Sequence, residues 1–101
     1  MRAFLITPET QSITEVNIEG LGDIKALIGF DTIESDSVGT QGDRLYFDEE
    51  CFLRGTSGRF QIDTVIPVAG KGVVAGTAED GATLRDVAMA IEDLRQRIRY
   101  L

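Results

Sequence analysis

The chain has 101 residues, a formal net charge of −7, one cysteine, and neither histidine nor tryptophan. This length predicts a single domain over residues 1–101, because a second independent core would be too small to be stable. The lack of histidine excludes Ser-His-Asp and Cys-His catalysis, and one cysteine without histidine excludes a structural zinc site within one chain. We therefore expect no resident metal or cofactor, and the composition favours a non-enzymatic protein.

Alternating apolar and polar residues predict most of the first half as short strands. These strands are expected at residues 2–7, 12–18, 30–35 and 43–47. The first two form a predicted hairpin around the turn Pro8–Gln11. Asp23 can cap a short helix near residues 23–28, which Gly29 ends.

The densest run of glycine and valine, Gly72–Gly76, predicts a buried strand around which the other strands are arranged. The turn Gly70-Lys71-Gly72 leads into it. Pro67 has no N–H to donate, so Val65–Val68 is expected at a sheet edge or in a loop. Shorter extended segments are predicted at residues 51–54 and 59–62.

The strongest periodic pattern predicts a long helix over Leu84–Arg99. Thr83 is a suitable N-cap, and Asp86 stands at the third helical position. The apolar residues recur at helical spacing: Leu84, Val87, Ala88, Ile91, Leu94 and Ile98. The predicted fold class is therefore α+β, a mostly antiparallel sheet with a short helix near 23–28 and a long C-terminal helix near 84–99 packed on one face.

Negative charge is concentrated in the front half. Residues 9–50 carry a local balance of −9, whereas residues 51–101 carry +1. Such a surface would repel nucleic acid, whose binding rests on cationic patches, but it could occupy a basic groove on another protein. The alternative is that the charge merely keeps a small domain soluble. The candidate partner-binding residues are Glu34, Asp36, Asp43, Asp48, Glu49 and Glu50.

The turn Gly70-Lys71-Gly72 is a second candidate, a ligand site in which the Lys71 ammonium meets an anion. Its glycines precede a strand, whereas a phosphate loop places them before a helix, and the usual phosphate-loop spacings are missing. A tight turn that needs glycine for its positive φ is the alternative interpretation. Cys51 has no histidine to activate it and is expected to be a buried small hydrophobe.

Several short motifs in residues 1–80 resemble those of a family of small bacterial and phage proteins classified as a domain of unknown function. The motifs, in order, are Arg2–Ile6, Ile28–Thr32, Gly42-Asp43, Phe47–Glu50, Phe60–Ile62 and Ala69–Gly76. Cys51 departs from the glycine expected after the acidic turn. The resemblance implies no activity, catalytic residue or cofactor, and it implies an accessory role in phages and other mobile elements.

Our first hypothesis is a non-enzymatic protein that offers its acidic front to a basic surface on another protein. In its sharpest form it is a counter-defence inhibitor that imitates the charge of nucleic acid. The alternatives are a ligand-binding or enzymatic domain using Gly70-Lys71-Gly72, and a homo-oligomer subunit built on the C-terminal helix. The N-terminal segment is too short for a signal-peptide core and no apolar run spans a bilayer, so we expect a cytoplasmic protein with no membrane contact and no direct nucleic-acid binding.

Overall fold

The computed structural model describes residues 1–101, most of them in short antiparallel strands. A single 3₁₀ turn, Cys51–Leu53, follows the fourth strand. Neither helix has the length and apolar character needed to cross a bilayer. The elements are β1 (Arg2–Thr7), β2 (Ser12–Asn17), α1 (Leu21–Ile28), β3 (Ile33–Val38), β4 (Asp43–Asp48), β5 (Arg59–Ile62), β6 (Val68–Ala69), β7 (Gly72–Thr77), β8 (Leu84–Arg85), α2 (Ile91–Arg97) and β9 (Ile98–Tyr100).

The larger sheet has the strand order β2-β1-β7-β4-β3, with β8 pairing the end of β7, and every pair is antiparallel. Strand β7 lies at the centre, and all six of its residues are buried. Its glycine, valine and alanine side chains are small enough for both faces to be covered closely. The buried strand predicted at Gly72–Gly76 is confirmed, and it occupies the central position expected for it.

Two layers cover this sheet. A smaller antiparallel sheet, β6-β5-β9, contributes Phe60 to one apolar cluster, and α2 adds Leu94 to it. Helix α1 contributes Ile24 and Ile28 to a second cluster, together with Val73 of the central strand. Burial of these apolar faces on both sides of one sheet supplies the main stabilisation of the domain.

The prediction of a long helix near residues 84–99 is wrong. Residues 84–85 form strand β8, the chain then runs without helix to residue 90, α2 has only seven residues, and residues 98–100 form strand β9. The helix predicted near 23–28 exists as α1, with Gly29 in the left-handed conformation at its end. The chain is thus a mostly antiparallel sheet with two short helices.

The groups expected to start the long helix have other partners. The Thr83 hydroxyl donates to Asp80 Oδ2 at 2.6 Å, so it does not cap a helix. The Asp86 carboxylate accepts the Arg2 backbone N–H at 2.8 Å, which ties this segment to β1. The first bond is a local turn contact and the second joins distant segments. Local helix preference is a weak prior that such contacts override.

Two contacts hold the non-helical residues 86–89 against the sheet. The Asp43 carboxylate accepts the backbone N–H groups of Ala88 at 2.7 Å and Met89 at 2.9 Å. The Asp86 carbonyl oxygen lies only 2.1 Å from where a Cβ on Gly76 would stand. Only glycine permits this approach, and the non-helical segment therefore packs directly on the end of β7.

The C-terminal end of the predicted helix is a strand because β5 pairs with it. Phe60 lies opposite Tyr100, and Ile62 lies opposite Ile98. The pairing satisfies backbone groups that a continuing helix would have bonded internally. It also buries the apolar side of the smaller sheet against the main core.

Candidate functional site

The six acidic residues predicted to bind a partner fall into two groups. Asp43 and Asp48, at the two ends of β4, are only 3 % and 2 % exposed. The Asp43 carboxylate accepts the backbone N–H groups of Ala88 and Met89, as described above. The structure therefore places these two carboxylates inside the protein and not on the acidic exterior predicted for them.

Asp48 organises the turn that follows β4. Its carboxylate accepts the Thr32 hydroxyl, the Glu50 backbone N–H at 3.1 Å and Arg54 Nε at 2.9 Å. Burial disfavours its charged form, but the hydrogen bonds from Arg54, Thr32 and Glu50 outweigh burial and lower the pKa of Asp48. Asp48 is thus a charged structural residue held by three donors.

The other four acids lie together at one border of the larger sheet. We call Glu34, Asp36, Glu49 and Glu50 the acidic edge. Glu34 and Asp36 are two positions apart on β3, the outermost strand. Their side chains therefore lie on the same side of the strand, about 7 Å apart. The Glu49 backbone N–H donates to the Thr32 carbonyl at 2.7 Å, which brings the acidic turn beside the start of β3.

Little positive charge neutralises the acidic edge. Glu50 lies 3.4 Å from Arg54 Nη2, whereas Glu34, Asp36 and Glu49 form no ion pair. The nearest cation along the strand pair is Arg44, whose guanidinium donates to the hydroxyls of Ser35 and Ser37 and to the Ser35 carbonyl. Ser35 and Ser37 point to the opposite side of β3 from Glu34 and Asp36, because strand side chains alternate.

The predicted ligand turn borders a cleft of about 460 Å³. Gly70 and Lys71 form one wall. The other walls are the β1–β2 turn, the end of α1, and the loop at residues 54–57. Gly72 does not belong to the cleft; a Cβ there would lie 2.7 Å from the Phe60 ring, so its place is in the core.

Two glycines bring the walls of this cleft together. Gly58 has a φ of 83°, and a Cβ there would lie 2.6 Å from the Glu9 backbone nitrogen. Gly70 has a φ of 75°, and a Cβ there would lie 2.9 Å from Thr56 Oγ1. The Gly70 N–H also donates to the Gly58 carbonyl at 3.1 Å. Glycine at both positions therefore permits three separate turns to pack in direct contact.

Several residues of the cleft carry no site signal in the sequence, among them Glu9, Arg54, Thr56 and Ser57. The pattern Gly-Thr-Ser-Gly at residues 55–58 is the one feature that could have indicated a tight polar loop here. Cys51 lines the cleft but is buried, and its sulfur accepts the Ala69 N–H at 3.4 Å. The prediction of a buried Cys51 is confirmed.

No family model, curated protein or solved structure matches the chain. Nowhere does the chain bring three cysteine or acidic side chains into an arrangement suited to a metal ion. The acidic edge and the cleft beside Lys71 are the two places where exposed candidate residues predicted from the sequence lie.

Proposed function

We propose that the chain is a non-enzymatic interaction protein whose acidic edge binds a basic surface on another protein. The observation that supports this function is the position of Glu34, Asp36 and Glu49. Their carboxylates stand on the outermost strand and its adjoining turn without a cationic partner. Carboxylates left unpaired at one border attract a partner of opposite charge and set its orientation.

The partner meets side chains at this border and does not add a further strand to the sheet. The Arg44 guanidinium already donates a hydrogen bond to the Ser35 carbonyl of β3. A strand added to β3 would have to compete with that hydrogen bond. Charged residues on an edge strand also oppose pairing between copies of one chain, which leaves the acidic edge available to a different protein.

The sharper form of the proposal is imitation of nucleic acid. Glu34 and Asp36 present two like charges about 7 Å apart along an extended strand. A protein groove that binds a phosphate backbone through lysine and arginine would accept such a row. The proposal of an accessory role in a phage or mobile element rests on the short motifs of residues 1–80 alone, since no family model matches the chain.

The test removes charge from the acidic edge with little change in shape. The variant carries Glu34→Gln, Asp36→Asn and Glu49→Gln, and proteins that it retains from a lysate of the source cells are compared with those retained by the unchanged chain. Quantitative mass spectrometry at about 0.05 M and about 0.5 M salt measures retention, since screening shortens the range of exposed charges. We expect at least one basic protein whose retention falls with salt and is lost in the variant.

A matched control loses the same number of charges elsewhere. It carries Glu15→Gln, Glu19→Gln and Glu79→Gln, all at exposed positions outside the acidic edge. We expect it to retain the same basic protein as the unchanged chain. Equal losses in both variants, or retention that does not depend on salt, would contradict binding through the acidic edge.

A further inference from the structure

The cleft beside Lys71 offers hydrogen-bond donors that the chain itself does not use. No hydrogen bond within the chain involves the backbone N–H groups of Gly55, Thr56 or Ser57, or the Lys71 ammonium. The hydroxyls of Thr56 and Ser57 likewise make none. Several unbonded donors in one place favour a ligand with several acceptor oxygen atoms.

The backbone conformation at residues 54–55 brings the N–H groups of Gly55 and Thr56 to the same side of the loop. Arg54 is right-handed helical, with φ −84° and ψ −16°, and Gly55 follows with a positive φ of 70°. Successive residues of opposite hand form a concavity of N–H groups that suits an anion. Gly70 packs on Thr56 from the other wall, which places Lys71 beside the same loop.

The Arg54 guanidinium is fixed in orientation but retains free donors. Its Nε and Nη2 donate to Asp48 and Thr32, while Nη1 donates to no group of the chain. The Phe30 ring lies 4.3 Å below the guanidinium carbon and holds its plane. A preformed donor binds an anion without losing side-chain freedom at that moment.

Two carboxylates border the cleft, and they do not act alike. Asp48 is already satisfied by three donors, so its charge is balanced by Arg54. Glu9 is exposed on the β1–β2 turn, makes no ion pair, and can accept hydrogen bonds from hydroxyl groups of a ligand. The overall charge of −7 repels anions at a distance, but at physiological salt that repulsion is screened beyond about 8 Å.

From these groups we infer that the cleft binds a small phosphate ester with a hydroxyl-bearing body. The phosphate lies against Lys71 and the N–H groups of residues 55–57, and the hydroxyls face Glu9. The volume of about 460 Å³ far exceeds that of one phosphate and lies within the range of small-molecule sites. This inference does not depend on the acidic edge.

The experiment titrates the ¹⁵N-labelled chain with ribose 5-phosphate at about pH 7.5, where the phosphate is mostly a dianion. We expect the backbone amide signals of Gly55, Thr56, Ser57 and Lys71 to shift together and to saturate. Inorganic phosphate should shift the same signals with weaker affinity, and ribose alone should hardly shift them. Shifts scattered over the surface, or ribose binding as tightly as its phosphate, would overturn the inference.

The only two lysines of the chain provide a matched pair of variants. Lys71→Gln should weaken ribose 5-phosphate binding roughly tenfold, the effect of losing one charged hydrogen bond. Lys25→Gln, on α1 and outside the cleft lining, should leave the affinity unchanged. The amide spectrum of each variant reports whether the fold is intact, and equal affinities of the two folded variants would overturn the inference.

Discussion

Strands β3 and β4 are neighbours in one sheet and both carry acidic residues, but their carboxylates differ in burial and in hydrogen bonding. Those of β4, Asp43 and Asp48, are buried and bind backbone N–H groups or an arginine. Those of β3, Glu34 and Asp36, stand at the sheet edge without ion pairs. An acidic residue next to unbonded donors thus becomes part of the fold, whereas one at an open edge keeps its charge exposed.

The largest expected effect is at Asp43. Asp43→Ala leaves the N–H groups of Ala88 and Met89 without an acceptor in a partly buried place. We expect the free energy of unfolding in urea to fall by about 3 kcal/mol, since each unsatisfied buried donor costs about 1–3 kcal/mol. Hydrogen exchange at Ala88 and Met89 should also become faster, and a variant as stable as the parent would contradict the structural role of this carboxylate.

Asp48 should show an intermediate effect that depends on pH. Asp48→Asn weakens the contact with Arg54 and should lower the free energy of unfolding by about 2 kcal/mol at neutral pH. Because the folded-state pKa of Asp48 lies below its ordinary value, the parent gains this stability above about pH 4 and loses it as pH falls further.

The stability difference between the parent and Asp48→Asn should therefore shrink as pH falls from about 4 toward the folded-state pKa. Urea unfolding of both proteins at a series of pH values measures it. The Glu49→Gln variant, one position further along, serves as the control because that carboxylate is exposed and forms no ion pair. A stability difference that stays constant with pH would indicate that Asp48 acts through its shape and not through its charge.

The smallest effect is expected on β3. Glu34→Gln should change the free energy of unfolding by no more than about 0.5 kcal/mol, as is usual for an exposed residue outside a bonded network. Urea unfolding measures this change. A loss comparable to that of Asp43→Ala would show that Glu34 also serves the fold, and the distinction between the two strands would fail.

The C-terminal segment shows how a strong local pattern can mislead. The apolar spacing of residues 84–98 fits a helix, but Asp43 captures two of its N–H groups and β5 pairs with Ile98–Tyr100. The contrasting case is β7, whose burial followed from its small apolar residues and was predicted correctly. A central strand can be recognised from its own composition. The conformation at the C-terminal end of this chain depends on partners that are tens of residues away in the sequence.

The hairpin β1–β2, the central strand β7 and the helix α1 follow from local patterns, because alternation, small apolar residues and a terminal glycine act over a few neighbouring residues. Which acids are buried, and that loop 54–57 meets Lys71, depends instead on the packing of distant segments. Local preferences bias the backbone one turn or strand at a time. The hydrogen-bond partners of Asp43 and the approach of residue 86 to Gly76 arise only when distant segments pack together.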